Sequence, residues 1–251
     1  MLYLIGIGIG NEKGLTLEGA EALKKCKIVF LEDYTNLVEK ETVTGIEKIA
    51  GRKVEILGRE AVEGEKKILQ AAEKEKTALL VSGDPLIATT HVSLVLSARK
   101  KGIWVKIIHA SSILSCAIGE SGLQAYKFGK SVTLAGWSRG YEPKDAYFVI
   151  EENKKRGLHT LVFLDIKEGK CMEAKEAVEL LEETERRKKK GVIASETQMV
   201  AISSLGRKEQ KISFGEIEKL KKAELGKSPS ILIFPAKLHF LEEEWLNYFK
   251  L

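Results

Sequence analysis

Three cysteines are all that this 251-residue chain carries. Cys26, Cys116 and Cys171 are odd in number and lie far apart, with no C-x-x-C pair and no Cys/His cluster at zinc spacing. That argues against a disulfide framework or a metal site and fits a reducing compartment. No apolar run approaches the roughly 20 residues that a membrane span requires. The apolar start "MLYLIGIGIGNEKG" lacks a basic leader and a small-residue cleavage site, so a soluble, cytoplasmic protein is expected, with no membrane partner. No G-x-S-x-G elbow, P-loop or H-E-x-x-H motif occurs, and hydrolase and phosphotransfer chemistry lose their usual warrant. Repeats and low-complexity tracts are also lacking. Neither sign of charge dominates: 41 basic residues face 36 acidic ones, a net +5. Such a mixed surface selects no function.

What the chain does have is alternation. Strand-like stretches read at 2–10, 27–32, 53–57, 77–82 and 104–110, separated by segments with apolar residues at three- and four-residue spacing. Thr16 suits a helix N-cap, and Gly51 and Gly102 suit helix stops. Strand alternating with helix predicts a mostly parallel, doubly wound sheet covered on both faces. The serine- and glycine-rich stretch 109–131 breaks the rhythm and is the expected link. Beyond it, strands at 131–137, 159–166, 199–206 and 230–235 and helices at 144–157, 173–191 and 241–249 alternate less strictly, which predicts a mixed sheet. The fold class is therefore α/β, with an N-terminal domain over 1–112 and a C-terminal domain over 113–251.

Ligands of open parallel sheets bind at the carboxyl ends of strands. Three segments are expected there: "GIGIG" (6–10), "SGDPL" (82–86) and "HASSI" (109–113). Glu32, about 20 residues past the glycines, stands where a dinucleotide fold places its ribose-binding acid, but the third glycine of G-x-G-x-x-G falls on Asn11. A strand with glycine at every second position has one bare face, open either to a ligand or to a closely packed helix. Taken alone, Asp84 suits an N-cap for a helix over 85–101 better than a ligand contact. Thr89, Thr90 and His91 follow one turn later and favour the latter. Ser111 and Ser112 are explained by an N-cap alone. The basic run 186–190 sits in a helix's last turn, where it suits the dipole, and no aromatics interleave with it. A nucleic-acid partner is not expected.

In chain order, "LYLIGIGIGNEKGLT", "LEDYTN", "SGDPLIATTH", "IHASSI", "YKFGKS", "GLHTLVFLDIK" and "SPSILIFPAKLH" cover the chain from Leu2 to His239. Each resembles a segment of the diphthine synthase family, which belongs to the tetrapyrrole-methylase-like methyltransferases. The resemblance implies two α/β domains of that type, a homodimer, and S-adenosyl-L-methionine held in the cleft between domains and released as S-adenosyl-L-homocysteine, with no metal. It implies as acceptor the amino group of the 3-carboxy-3-aminopropyl-histidine of translation elongation factor 2. Carried over by position, the donor contacts are Ile9, Asp84, Ile87, Ser112, Ile113, Leu164, Leu205 and Ser230. No catalytic residue is implied, and His91 is expected behind the site. Departures from the family pattern are Ser82, Asn11, Asn36 and Ser111, and "SETQMV" matches loosely. A reacting α-amino group has a reference pKa of roughly 8, so its deprotonation near neutral pH does not demand a dedicated general base, and the sequence leaves open whether one is used. Other acceptors within the superfamily, a tetrapyrrole or an RNA, and a nicotinamide-dependent oxidoreductase are the alternatives.

Overall fold

Apolar runs with no polar alternation become strands buried on both faces. In the computed structural model, which describes residues 1–138, 142–167 and 169–251, β1 (Leu2–Gly6), β2 (Ile28–Glu32) and β4 (Thr77–Val81) are such strands, and the less buried β3 (Glu55–Leu57) and β5 (Val105–Ile108) join them. They form one sheet in the order β3-β2-β4-β1-β5, and every pairing is parallel. Alternate residues feed opposite cores. Leu2, Leu4, Leu79 and Val81 join one, while Tyr3, Ile5, Ala78 and Leu80 join the other. The chain divides into two compact units, Met1–Ile113 and Leu114–Leu251.

Helices α1 (Leu17–Lys25), α2 (Lys40–Ala50), α3 (Arg59–Glu63), α4 (Lys66–Lys74) and α5 (Val92–Lys100) connect these strands. Thr16 caps α1 by accepting from Gly19 N at 3.0 Å, and Gly51 ends α2 in the left-handed region. Two expected helices are shorter than their periodicity suggested. The 61–75 segment breaks between α3 and α4, where Glu65 turns left-handed at φ +57° and Gly64 lowers helix propensity. The 85–101 helix begins only at Val92, since Ala88 is left-handed at φ +58°.

The boundary between the units falls at the first residue of α6 (Ile113–Ser121). The second unit contains β6 (Val132–Leu134), α7 (Lys144–Lys155), β7 (Thr160–Leu164), the small pair β8 (Ile166–Lys167) and β9 (Lys170–Cys171), α8 (Ala174–Lys188), β10 (Gln198–Ser203), β11 (Lys211–Glu216), α9 (Ile217–Lys222), β12 (Ser230–Phe234) and α10 (Phe240–Asn247). Its five-stranded sheet has the order β11-β10-β12-β7-β6. Only β6–β7 is parallel there, so the sheet is mixed. Residues 211–222, for which the sequence suggested no element, form edge strand β11 and helix α9. Phe214 in β11 exchanges backbone hydrogen bonds with Phe249 and Leu251.

A buried ionic cluster ties α10 to its own unit. Glu242 makes a capping box with His239 and also accepts from Gln124 N, Lys127 Nζ and His159 Nε2 at 2.9, 2.6 and 3.2 Å. Burial alone would raise its pKa, but these donors and the His239 N–H outweigh that and bring it down to about 2. His159 accepts from Ala236 N through Nδ1 at 3.0 Å, so Nε2 carries the proton of the neutral ring. Its pKa is lowered by burial, against the pull of Glu242.

Candidate active site

The N-terminal candidates converge because β4, β1 and β5 are neighbours and end together. The first loop begins earlier than the sequence suggested. β1 stops at Gly6, and Gly8 and Gly10 are left-handed at φ +71° and +90°, so no glycine strand spans 2–10. The bare face is taken neither by a helix nor by open space but by the chain's own backbone. Gly8 and Gly83 exchange N–H···O bonds at 3.2 and 2.9 Å. A Cβ on Gly6 would stand 2.5 Å from Gly83 O, and one on Gly8 2.4 Å from Gly14 O. Glycine is required here so that three loops can cross at backbone contact.

That crossing sets Asp84 at the sheet edge. Its carboxylate is buried and accepts from Leu86 N through Oδ1 at 3.0 Å, and from His109 Nδ1 and Ala110 N through Oδ2 at 2.7 and 3.3 Å. The Leu86 contact is an Asx turn, not a helix cap, so the N-cap reading of Asp84 is overturned. The same bonds tie the loop after β4 to the loop after β5, while Ile9 N donates to Ser111 Oγ at 3.3 Å and ties in the loop after β1. Ile9, Asp84, Ile87, Ser112 and Ile113 thus share one edge of the first sheet. Ile87 is exposed and Ser112 buried.

Next to Asp84, Ser82 Oγ is buried without a hydrogen-bond partner among the described residues. Asp84 itself retains acceptor capacity on Oδ1, since an ionised carboxylate offers about four lone-pair positions. An unpartnered hydroxyl, a spare carboxylate acceptor and three isoleucines fit a ligand that carries hydroxyl or ammonium donors on an otherwise apolar body.

Beyond Asp84, His91 does not bridge to Thr89 or Thr90. Its Nδ1 lies 3.1 Å from Pro85 O and its Nε2 3.5 Å from Tyr34 Oη. Thr89 Oγ1 also donates to Pro85 O, at 2.9 Å. Tyr34 comes from the loop after β2, the strand beside β4. Burial raises its phenol pKa, a hydrogen bond from Thr90 opposes that, and the charges of Glu32 and Glu63 reinforce it. A left-handed alanine costs about 1–2 kcal/mol relative to ordinary backbone, so the Ala88 turn is strained.

In the second unit, Leu164 ends β7, Ser230 begins the antiparallel neighbour β12, and Leu205 follows the end of β10. All three share one edge of the second sheet. Ser230 Oγ is 2.7 Å from Ser203 Oγ. Ser204, left-handed at φ +50°, donates its N–H to Pro229 O at 2.8 Å and its hydroxyl to Lys227 O at 2.9 Å, which fixes the turn bearing Leu205.

The competing sites dissolve on inspection. Glu32 is wholly buried and accepts from Tyr34 N, Thr35 N and the Thr35 hydroxyl, so no ribose is available to it. Asn11 caps a short turn of 3₁₀ helix at Glu12–Gly14 by accepting from Lys13 N. In the basic run, Arg186 and Arg187 pair with Glu183, Lys188 with Glu142 and Lys190 with Glu151. Arg187 also lies over Trp137 at 4.4 Å. Two cavities, one of about 610 Å³ beside α2 and one of about 230 Å³ beside α7, are lined by none of the candidate donor residues. No group of three His, Cys, Asp or Glu residues that could hold a metal stands together among the described residues. Nor is any described helix long and apolar enough to cross a membrane.

Sequence reasoning assigned no role to two members of the site. Tyr34 was legible only as part of "YTN" at the end of β2. His109 opens the expected strand-end segment "HASSI" but was given no role of its own.

Comparison with known proteins identifies the family. The family model described as Tetrapyrrole (Corrin/Porphyrin) Methylases matches residues 1–221. The curated diphthine synthase of Methanocaldococcus jannaschii is 40% identical, over 99% of this chain and 98% of its own. The chain belongs to the diphthine synthase family. A second diphthine synthase, from Methanothermobacter thermautotrophicus, is 38% identical over 98% of this chain and 94% of its own. A Candida albicans protein named diphthine methyl ester synthase 2 is 38% identical over 99% and 89%. A crystal structure of diphthine synthase superimposes with a TM-score of 0.88 at 32% identity, covering 99% of this chain and 95% of that one. The α/β architecture, with one parallel and one mixed sheet, is that of the family.

Proposed function

We propose that the chain is a methyltransferase of diphthamide biosynthesis. It methylates, repeatedly, the amino group of the 3-carboxy-3-aminopropyl-histidine of translation elongation factor 2. The observation that carries this reading is the match to curated diphthine synthases along nearly the whole of both chains. The site supports it: five of the eight proposed donor contacts, Ile9, Asp84, Ile87, Ser112 and Ile113, share the carboxyl edge of the parallel sheet. Leu164, Leu205 and Ser230 complete the proposed set. A homodimer in the cytoplasm belongs to the same reading.

S-adenosyl-L-methionine supplies a sulfonium methyl group, which an amine nitrogen takes as the methyl–sulfur bond breaks, so positive charge passes from sulfur to nitrogen and none is created. The protein's work is then to align and to exclude water. The crossing at Gly6, Gly8 and Gly83 lets a ligand meet backbone. The spare acceptor of Asp84 suits a hydroxyl or ammonium donor, and Ile9, Ile87 and Ile113 supply apolar walls. A charge that only moves costs little in such surroundings, and the acceptor amine, with a reference pKa of roughly 8, loses its proton readily near neutral pH.

The test is mass spectrometry of elongation factor 2 bearing the aminocarboxypropyl histidine, incubated with this protein and S-adenosyl-L-methionine. Stepwise gain of methyl groups on that residue is expected. A stop at the trimethylated amine would define the product as diphthine, and one further methyl would define it as the methyl ester. No gain, with the donor shown to bind, would overturn the acceptor and leave the fold and the donor in place.

A further inference from the structure

The segment from Asp84 to His91 closes on a single atom. The Pro85 carbonyl oxygen accepts from Thr89 Oγ1 at 2.9 Å and from His91 Nδ1 at 3.1 Å, and between them lies the left-handed Ala88. A carbonyl can only accept, so Nδ1 carries the proton of the imidazole. In the neutral ring Nε2 is left as the acceptor that faces the Tyr34 hydroxyl at 3.5 Å. The two rings meet edge to face, with centroids 6.2 Å apart. Tyr34 is in turn fixed from both sides: its N–H is held by Glu32 and its ring lies under the Arg59 guanidinium at 5.2 Å.

Any buried histidine needs partners for its ring nitrogens, as His159 has; what sets His91 apart is what it holds. Here both ring nitrogens are engaged, the buried ring holds a turn whose outer residues Ile87 and Ala88 are exposed, and that turn is strained. Backbone strain persists only where surrounding contacts over-determine it, and it gathers at ligand clamps.

We infer that His91 is a positioning residue of the donor site. With Thr89 it clamps the Pro85 carbonyl and so maintains the strained Ala88 turn that presents Asp84 and Ile87 to the methyl donor, while the Tyr34 hydroxyl faces the other ring nitrogen. This rests on the donor-site reading above.

The experiment is calorimetry of S-adenosyl-L-homocysteine binding, paired with steady-state kinetics. His91→Ala is expected to weaken binding about 10-fold, the loss of one well-placed buried hydrogen bond. His91→Asn, whose amide nitrogen takes the place of Nδ1, restores affinity to within about threefold, whereas His91→Gln, which places its amide at the Nε2 position, does not. Adding Ala88→Gly to His91→Ala recovers part of the loss, because glycine adopts the positive φ without strain. The donor KM follows the binding constant, and kcat at saturating donor changes far less. Should His91→Ala fold poorly, Thr89→Val removes the other donor to Pro85 O and is expected to weaken binding about threefold.

Affinity of His91→Ala or Thr89→Val within twofold of the unaltered chain, or equal behaviour of Asn and Gln at position 91, would overturn the positioning role alone. Failure of the unaltered chain to bind S-adenosyl-L-homocysteine would overturn the donor-site reading, and the inference with it.

Discussion

Each unit buries one carboxylate against a histidine, and the two pairs differ in almost every other respect. Glu242 in the second unit is 1% exposed, its partner His159 not at all, and its two oxygens take four donors: Gln124 N, His159 Nε2, Lys127 Nζ and His239 N. Asp84 in the first unit is 5% exposed, yet the side chain of its partner His109 is 67% exposed, and its oxygens take three donors. A carboxylate with every lone pair filled and its partner sealed has nothing left to offer a ligand. One with an acceptor to spare, a partner facing solvent and an orphaned Ser82 hydroxyl alongside is built to meet one. Saturation marks the structural pair, and incompleteness the functional one.

The comparison breaks if the sealed pair proves dispensable. Glu242→Ala leaves Lys127 and the Gln124 and His239 N–H groups unpaired, and removal of one member of a buried ionic cluster costs about 3–5 kcal/mol. Urea unfolding should show that loss, while Asp84→Ala, whose donors are only part-buried, should cost less, about 1–2 kcal/mol. Equal destabilisation by the two would dissolve the distinction.

Acid sharpens it next. Both members of the sealed pair have pKa values lowered by folding. Each therefore contributes stability that is present above its unfolded value and lost as pH falls. Stability should decline below about pH 6.5, where the unfolded histidine takes a proton that the buried one refuses. It should decline again between about 4.5 and 2, as Glu242 is protonated. Glu185 shares this second limb. Burial would raise its pKa, but the N–H groups of Gly191, Val192 and Ile193 and the Tyr147 hydroxyl bring it down to about 2. Glu242→Gln should shallow the second limb without abolishing it, which chemical denaturation at stepped pH would show.

How much of this could be read in advance follows from what each feature depends on. β1, β2 and β4 were legible because a strand covered on both faces must be apolar throughout. The mixed second sheet was legible from the looser alternation. β11 was not, since "KISFGE" is a short edge strand with charge at both ends, and nothing local announces that the C-terminus pairs with it. The start of α5 was misplaced because "PLIATTH" has no glycine to flag the positive φ at Ala88. Asp84 stood out beside Gly83, but its partner His109 lies 25 residues on. Their meeting requires β1 to lie between β4 and β5, a topology that no local pattern encodes. The polar members of the site were visible one at a time; their connections were not.

A smaller effect bears on function directly. Asp84→Ala should weaken S-adenosyl-L-homocysteine binding by about 10- to 100-fold in calorimetry, the range for removing a charged hydrogen-bond partner. Affinity that survived the change would return Asp84 to the structural class, as a loop tie like Glu32.

The smallest effect falls on the outer member of the open pair. His109 is mostly solvated, and exposed ion pairs contribute about 0–1 kcal/mol, so His109→Ala should shift the unfolding midpoint barely at all. His159→Ala should shift it by much more, because it strips Glu242 of a buried donor and opens a cavity in the same step. Donor affinity separates the two in the opposite sense. With His109 gone, Asp84 keeps Leu86 N and Ala110 N but gains acceptor capacity on Oδ2, so affinity should change by no more than about threefold. His159, which belongs to a saturated cluster, should leave affinity untouched so long as the chain is folded. A His109→Ala variant as unstable as His159→Ala would mean that the open pair also holds the fold together, and that exposure of the partner does not tell a site from a strut.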